Sequence, residues 1–153
     1  MPVTEDLLFS ETDGGCANCG LKDSRALTVH HMEQSKPKNE AYDNKIVLCH
    51  NCHQCHHRGH EPTADALKDI KRRLIIKTLT RPGLNALKQA YRRTYVVAMP
   101  FLVSHLVEQR YLEEKEVMSS MGDEDDPSVE VAISIAYIIT PEGRQFLEKW
   151  DLK

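Results

Sequence analysis

The chain has few aromatic residues and no long hydrophobic run. One Trp, three Phe and five Tyr make up 6% of 153 residues, leaving few large rings to fill a deep interior. That length suits one medium domain or two small ones sharing a limited core. The longest apolar stretch, VAISIAYII from Val131 to Ile139, contains a Ser and is far too short for a bilayer helix. The first residues, MPVTEDLLFSET, carry neither a basic flank nor an apolar segment and do not read as a secretory signal. Excess positive charge is also lacking: a net charge of −3 excludes a strongly basic nucleic-acid binder. Cysteine is absent after Cys55, and its odd total of five argues against a disulfide framework. A soluble, cytoplasmic protein without a membrane partner is the expectation.

What is present is unevenly placed. All five cysteines and six of the eight histidines fall between Cys16 and Gly59, and after Glu61 only His105 and no cysteine follows. From Arg58 to Arg93 there are ten Lys or Arg against three Asp or Glu, whereas Glu108 to Glu130 holds nine acidic residues and two basic ones. The composition break near Gly59 to Pro62 predicts two domains, residues 10–61 and 62–153.

In the first domain, RALTVHH (Arg25 to His31) and KIVLC (Lys45 to Cys49) have the β-branched content of short strands. The polar stretch Glu33 to Asn44 between them reads as a loop, and a helix is expected from His50 to His60. So small a module buries little apolar surface, and a metal is the natural staple. In the second domain, Pro62 and Thr63 mark a helix start, with Ala66, Leu67, Ile70, Leu74 and Ile75 as its apolar stripe. TRPG (Thr80 to Gly83) breaks it. Further helices are expected over Leu84 to Arg93 and Pro100 to Glu116, the latter with Phe101, Leu102, His105, Leu106 and Leu112 partly buried. A strand over Val129 to Thr140 and a closing helix, Pro141 to Trp150, complete the reading.

Two C-x-x-C pairs, Cys16/Cys19 and Cys49/Cys52, have 29 residues between them and offer four soft thiolates to a tetrahedral centre, which suits structural zinc. Cys55 remains as a spare thiol or an alternate ligand. Four thiolates leave the histidines unexplained. His30 and His31 are neighbours at a strand end and point to opposite faces. His53 and His57 stand at i and i+4 on the expected helix, one above the other. A second metal can therefore take two ligands from the helix and one from the strand. His56 and His60 form another such pair, which competes as ligands, binds phosphate or does neither.

The order CxxC, VHH, Asn44, IVLCxxCH and His57 resembles the HNH nuclease family, whose fold is a β-hairpin and helix around a metal. The resemblance covers less than a third of the chain and lacks the glycine pair common in the family's loop. It implies that His31 is the general base and that Asn44 pins the loop and helps hold that base. It further implies that His30, His53 and His57 hold a catalytic magnesium, manganese, nickel or zinc ion, and that Cys16, Cys19, Cys49 and Cys52 form the structural zinc site of one branch. The fold class implied is α+β, a zinc-stapled ββα-metal module followed by a mostly helical domain. From Ala64 to Trp150 the element order resembles a winged helix-turn-helix domain, with SSMGDEDDP (Ser119 to Pro127) as its wing.

The chemistry is compatible, since a neutral histidine with an ordinary pKa of about 6.5 accepts a proton from water near neutral pH. Lys71, Arg72, Arg73, Lys77, Arg81, Lys88, Arg92 and Arg93 are the candidate phosphate contacts to DNA. The acidity of the expected recognition helix, Pro100 to Glu116, and of the wing fits groove binding poorly and points instead to dimerisation or partner docking through the apolar strand, Val131 to Ile139. The leading expectation is a metal-dependent HNH endonuclease acting on DNA. The alternatives are a non-catalytic zinc-containing DNA-binding regulator and a protein-interaction module.

Overall fold

The computed structural model describes residues 5–122, 124–126 and 128–153. The fold is α+β and divides into two compact units, Met1–Thr78 and Leu79–Lys153. Among the described residues no helix is long and apolar enough to cross a membrane.

The first unit opens with α1 (Glu5–Glu11), which buries Leu8. The strands β1 (Leu27–His31) and β2 (Lys45–Cys49) then form an antiparallel hairpin that places Leu27 opposite Cys49 and His31 opposite Lys45. The helix α2 (His50–His57) follows β2 without a linker, Cys49 serving as its N-cap. A two-stranded hairpin alone is marginal in water. Here Ile46 and Leu48 pack with Cys16, Cys49 and Leu67, and Leu27, Ile70 and Leu74 line the edge of that cluster. Leu67, Ile70 and Leu74 come from α3 (Ala64–Leu79), so the expected apolar stripe lies against the hairpin.

The second unit contains α4 (Arg81–Arg93), β3 (Tyr95–Ala98), α5 (Pro100–Glu108), β4 (Leu112–Gly122), β5 (Glu130–Ile139) and α6 (Pro141–Lys149). The three strands form an antiparallel sheet in the order β3-β5-β4. Alternate residues of β5, Ile135, Tyr137 and Ile139, are buried with Val103, Leu106, Phe146 and Trp150. Thr80 and Thr140 cap α4 and α6 by accepting from the N–H groups of Gly83 and Gly143. A Cβ at Gly143 would lie 2.3 Å from the Tyr111 carbonyl oxygen, so glycine is required there.

Three expectations are corrected. The helix from Pro100 ends at Glu108, because Arg110 turns into the left-handed region (φ 61°) and Tyr111 N–H closes onto the Leu106 carbonyl. Leu112 to Glu116 lie in β4, where pairing with β5 overrides their helical propensity. Phe101 is 73% exposed, and the buried face of α5 is formed by Val103 and Leu106. The helices α1 and α4 also take in residues not expected to be helical, since TRPG starts α4 as well as ending α3. The expected wing, Ser119 to Pro127, includes Asp123 and Pro127, which lie outside the described residues.

Candidate functional site

The first cluster joins the start of the hairpin to its end. Cys16 and Cys19 sit in the turn before β1, anchored by a hydrogen bond from Ala17 N–H to the Val47 carbonyl. Cys49 closes β2, and Cys52 lies in the first turn of α2. The four sulfurs lie within 4.8 Å of one another, and those of Cys19 and Cys49 are 3.7 Å apart. Four sulfurs at about 2.3 Å from a tetrahedral zinc stand about 3.8 Å apart. Burial pushes the Cys52 thiol up to about 12; the Asn18 amide, 3.3 Å from its sulfur, pulls against this and the other three cysteines add to it. At Cys16 burial also opposes ionisation, but backbone hydrogen bonds from Cys19, Cys49 and Asn18 outweigh it and bring the thiol down to about 7. Thiols this crowded ionise together only when a cation compensates them. The donor set and spacing are those of a structural zinc site.

The second cluster lies where β1 meets α2. Strand alternation sends His30 inward beneath the helix, and α2 presents His53 and His57 one turn apart. The Nε2 atoms of His53 and His57 are 3.0 Å apart, and His30, His53 and His57 each place a ring nitrogen within 4.8 Å of the others. His30 is buried, yet its Nε2 has no hydrogen-bond partner. An unsatisfied buried polar atom costs roughly 1–3 kcal/mol, a penalty that a bound cation would remove. Burial, reinforced by the surrounding histidines, brings His30 down to about 4, and burial likewise lowers His53. Both are thereby kept neutral, the form that ligates metal.

Of the remaining candidates, His56 is engaged elsewhere: its Nδ1 lies 2.7 Å from the Pro62 carbonyl oxygen. Cys55 and His60 belong to neither cluster among the described residues.

His31 faces away from this cluster. Its Nε2 is 3.1 Å from Glu40 Oε1, and the other oxygen of Glu40 is paired with Lys45. Lys45 beside it holds the Glu40 carboxyl below the usual carboxylate range. The loop carrying Glu40 is tied down by Asn44. Its Oδ1 accepts from Glu33 N–H at 2.8 Å, and its amide donates to the carbonyls of Asn39 (2.9 Å) and Glu33 (3.2 Å). Asn44 is buried, and these bonds make it a knot for the loop with no free amide proton for a substrate. Glu40 and Lys45 are neighbours of His31 that sequence reasoning missed.

The cationic candidates separate. Lys71 is fully buried and donates to Glu11 Oε1 at 2.6 Å, so it is withdrawn from the nucleic-acid set. Tyr42 hydroxyl donates to the other oxygen of Glu11, and the Lys71 ammonium sits 3.8 Å from the centre of the Tyr42 ring. Lys77 reaches Asp13 at 3.0 Å and the Glu11 carbonyl at 3.3 Å. Arg73, Arg81, Arg92 and Arg93 are exposed, whereas Arg72 and Lys88 are half-buried. No family model, curated protein or solved structure matches the chain.

Proposed function

We propose that the first unit is a metal-dependent nuclease of the HNH kind, and that it cleaves phosphodiester bonds in DNA. The observation that carries this reading is the orphaned, buried Nε2 of His30, set against His53 and His57 while His31 occupies the opposite face of the same strand. His30, His53 and His57 would hold a divalent cation, magnesium, manganese, nickel or zinc. When bound, that cation supplies positive charge to the scissile phosphate and the departing oxyanion. His31 accepts a proton from water as the water oxygen forms the new bond to phosphorus, and the leaving oxygen departs with the electrons of the bond that breaks. Asn44 holds the loop beside the base, and Cys16, Cys19, Cys49 and Cys52 fix the frame through zinc.

The second unit, with its three-stranded sheet and edge hairpin, is read as winged-helix-like. Arg81, Lys88, Arg92 and Arg93 serve there as phosphate contacts, and within the first unit Arg72, Arg73 and Lys77 of α3 do the same. Beyond the pair Ala98–Ile135 the sheet narrows to β4 and β5 alone, and this acidic arm exposes Val117, Met118, Met121 and Val131. It is assigned to homodimer formation; its charge is wrong for DNA.

The test is nicking of supercoiled plasmid by the purified chain and by His31→Ala, with magnesium, manganese and nickel in turn and a metal count for each protein. Cleavage lost in the variant while one zinc per chain is retained is the expected result. Absence of cleavage by the unaltered chain with every metal would remove the nuclease reading.

A further inference from the structure

The surroundings of His31 are more specific than a base exposed on a strand requires. On β2, directly opposite, stands Lys45, whose side chain is only 11% exposed and which pairs with one oxygen of Glu40. The second oxygen of the same carboxylate is presented to the His31 ring. Two features keep Glu40 in place. Asn44 holds the carbonyl of the preceding residue, Asn39, and Lys45 grips the carboxylate itself. The far side of the same loop returns to the strand end, where the Gln34 amide donates to the His31 carbonyl at 2.7 Å.

We infer that Glu40 is the positioning residue of this site: it accepts the Nε2–H of His31 and so leaves Nδ1 as the nitrogen that takes a proton from water. An ionised carboxylate can only accept a hydrogen bond, so a His31 ring that faces it with Nε2 must carry its proton there. The alternative tautomer would set a lone pair against the carboxylate and lose the contact. Fixing one ring nitrogen also fixes the ring plane, because the bond to Glu40 and the Cα–Cβ bond leave the imidazole little rotation. Orientation of this kind is where a group outside the reaction changes its rate. Lys45 acts one step further out, by turning the Glu40 carboxylate toward the ring. The role for Nδ1 rests on the proposed nuclease reading, whereas the tautomer assignment does not.

The experiment uses the full zinc-loaded chain and needs no known substrate for its first arm. Long-range proton–nitrogen NMR of the His31 ring, assigned with His31→Gln, is recorded for the unaltered chain and for Glu40→Ala, Glu40→Gln and Lys45→Met. In the unaltered chain Nε2 should resonate as a protonated nitrogen and Nδ1 as an acceptor. In Glu40→Ala both signals should move toward the averages of a mixed, mobile ring, and Glu40→Gln, which keeps an accepting oxygen, should restore most of the difference. In the second arm, plasmid nicking with magnesium, Glu40→Ala should lower kcat roughly 10- to 100-fold, the lower end of what a misplaced base forfeits. KM and zinc content should not change, Glu40→Gln should recover part of the loss, and Lys45→Met should fall between. A proton found on Nδ1, a ring signature indifferent to Glu40→Ala, or an unchanged kcat would overturn the inference. A chain that cuts nothing yet shows the expected ring signature would sink the nuclease reading while upholding the assignment of Glu40.

Discussion

Replacing Lys71 separates a buried ion pair from a surface that binds phosphate. The Lys71 ammonium and the Glu11 carboxylate are both without solvent exposure and stand 2.6 Å apart. Burial drives the Lys71 pKa below its ordinary value, with the Glu11 charge opposing that shift. In Lys71→Ala the carboxylate stays buried, with the Tyr42 and Thr78 hydroxyls as its remaining side-chain partners. Removing one member of such a pair costs about 3–5 kcal/mol, because the other charge is left uncompensated. With a urea slope of about 2 kcal/mol per molar for a domain of this size, the midpoint should fall by roughly 2 M. Removing both charges, as in Glu11→Gln with Lys71→Met, should restore most of the loss, since a buried pair is often no more stable than a neutral replacement. The assay is urea unfolding of the zinc-loaded chain, followed by far-ultraviolet circular dichroism, for Lys71→Ala, for Glu11→Gln and Lys71→Met singly, and for the double. DNA affinity, measured well below the unfolding midpoint, should be unchanged in Lys71→Ala and reduced in Arg92→Ala. A Lys71→Ala variant within 1 kcal/mol of the unaltered chain, or a double variant as unstable as the sum of the singles, would refute the argument.

Cys49→Ser should lose one zinc per chain and unfold the first unit, because zinc binding to a small site supplies apparent free energy on the order of 10 kcal/mol. Metal analysis and the dispersion of amide resonances from that unit report this, and a folded, zinc-replete Cys49→Ser would contradict it. A pH dependence follows from His30, which the fold holds at about 4 against an ordinary 6.5. As pH falls below 6.5 the unfolded chain takes up a proton that the folded chain refuses until about 4, so the His30 contribution is full above 6.5 and declines across that window. Urea midpoints without added divalent metal should therefore fall more steeply from pH 6.5 to 4.5 for the unaltered chain than for His30→Gln, and parallel curves would count against it. Met121→Lys, at a position 62% exposed, should leave stability within about 0.5 kcal/mol of the unaltered chain while abolishing any dimer seen by sedimentation. A monomeric unaltered chain would remove the dimer assignment.

The two side-chain clusters were legible because residues that could hold a metal follow local geometry. A C-x-x-C knuckle and an i, i+4 histidine pair are short-range patterns, and strand alternation alone separates His30 from His31. Lys71 was misread for the opposite reason. In the run Lys71-Arg72-Arg73 each residue turns about 100° from the last, so three like charges cannot share one environment. What draws Lys71 inward is Glu11, sixty residues earlier on a helix that the polar start of the chain did not announce. Glu40 was invisible on similar grounds. It stands nine residues after His31, beyond a loop with no period, and their contact depends on the pairing of His31 with Lys45 and on the knot at Asn44. The misread end of α5 shows the same hierarchy in backbone form. LEEKE has the composition of a helix, but Leu112 to Glu116 pair with Ile139 to Ala136, and a strand partner about twenty residues later overrides local preference. Residues that touch a metal are set by spacing within a few positions, whereas residues that orient or compensate them are set by register and burial. A site of this type is therefore readable from sequence in its ligands first and in its supporting groups only once the chain has folded.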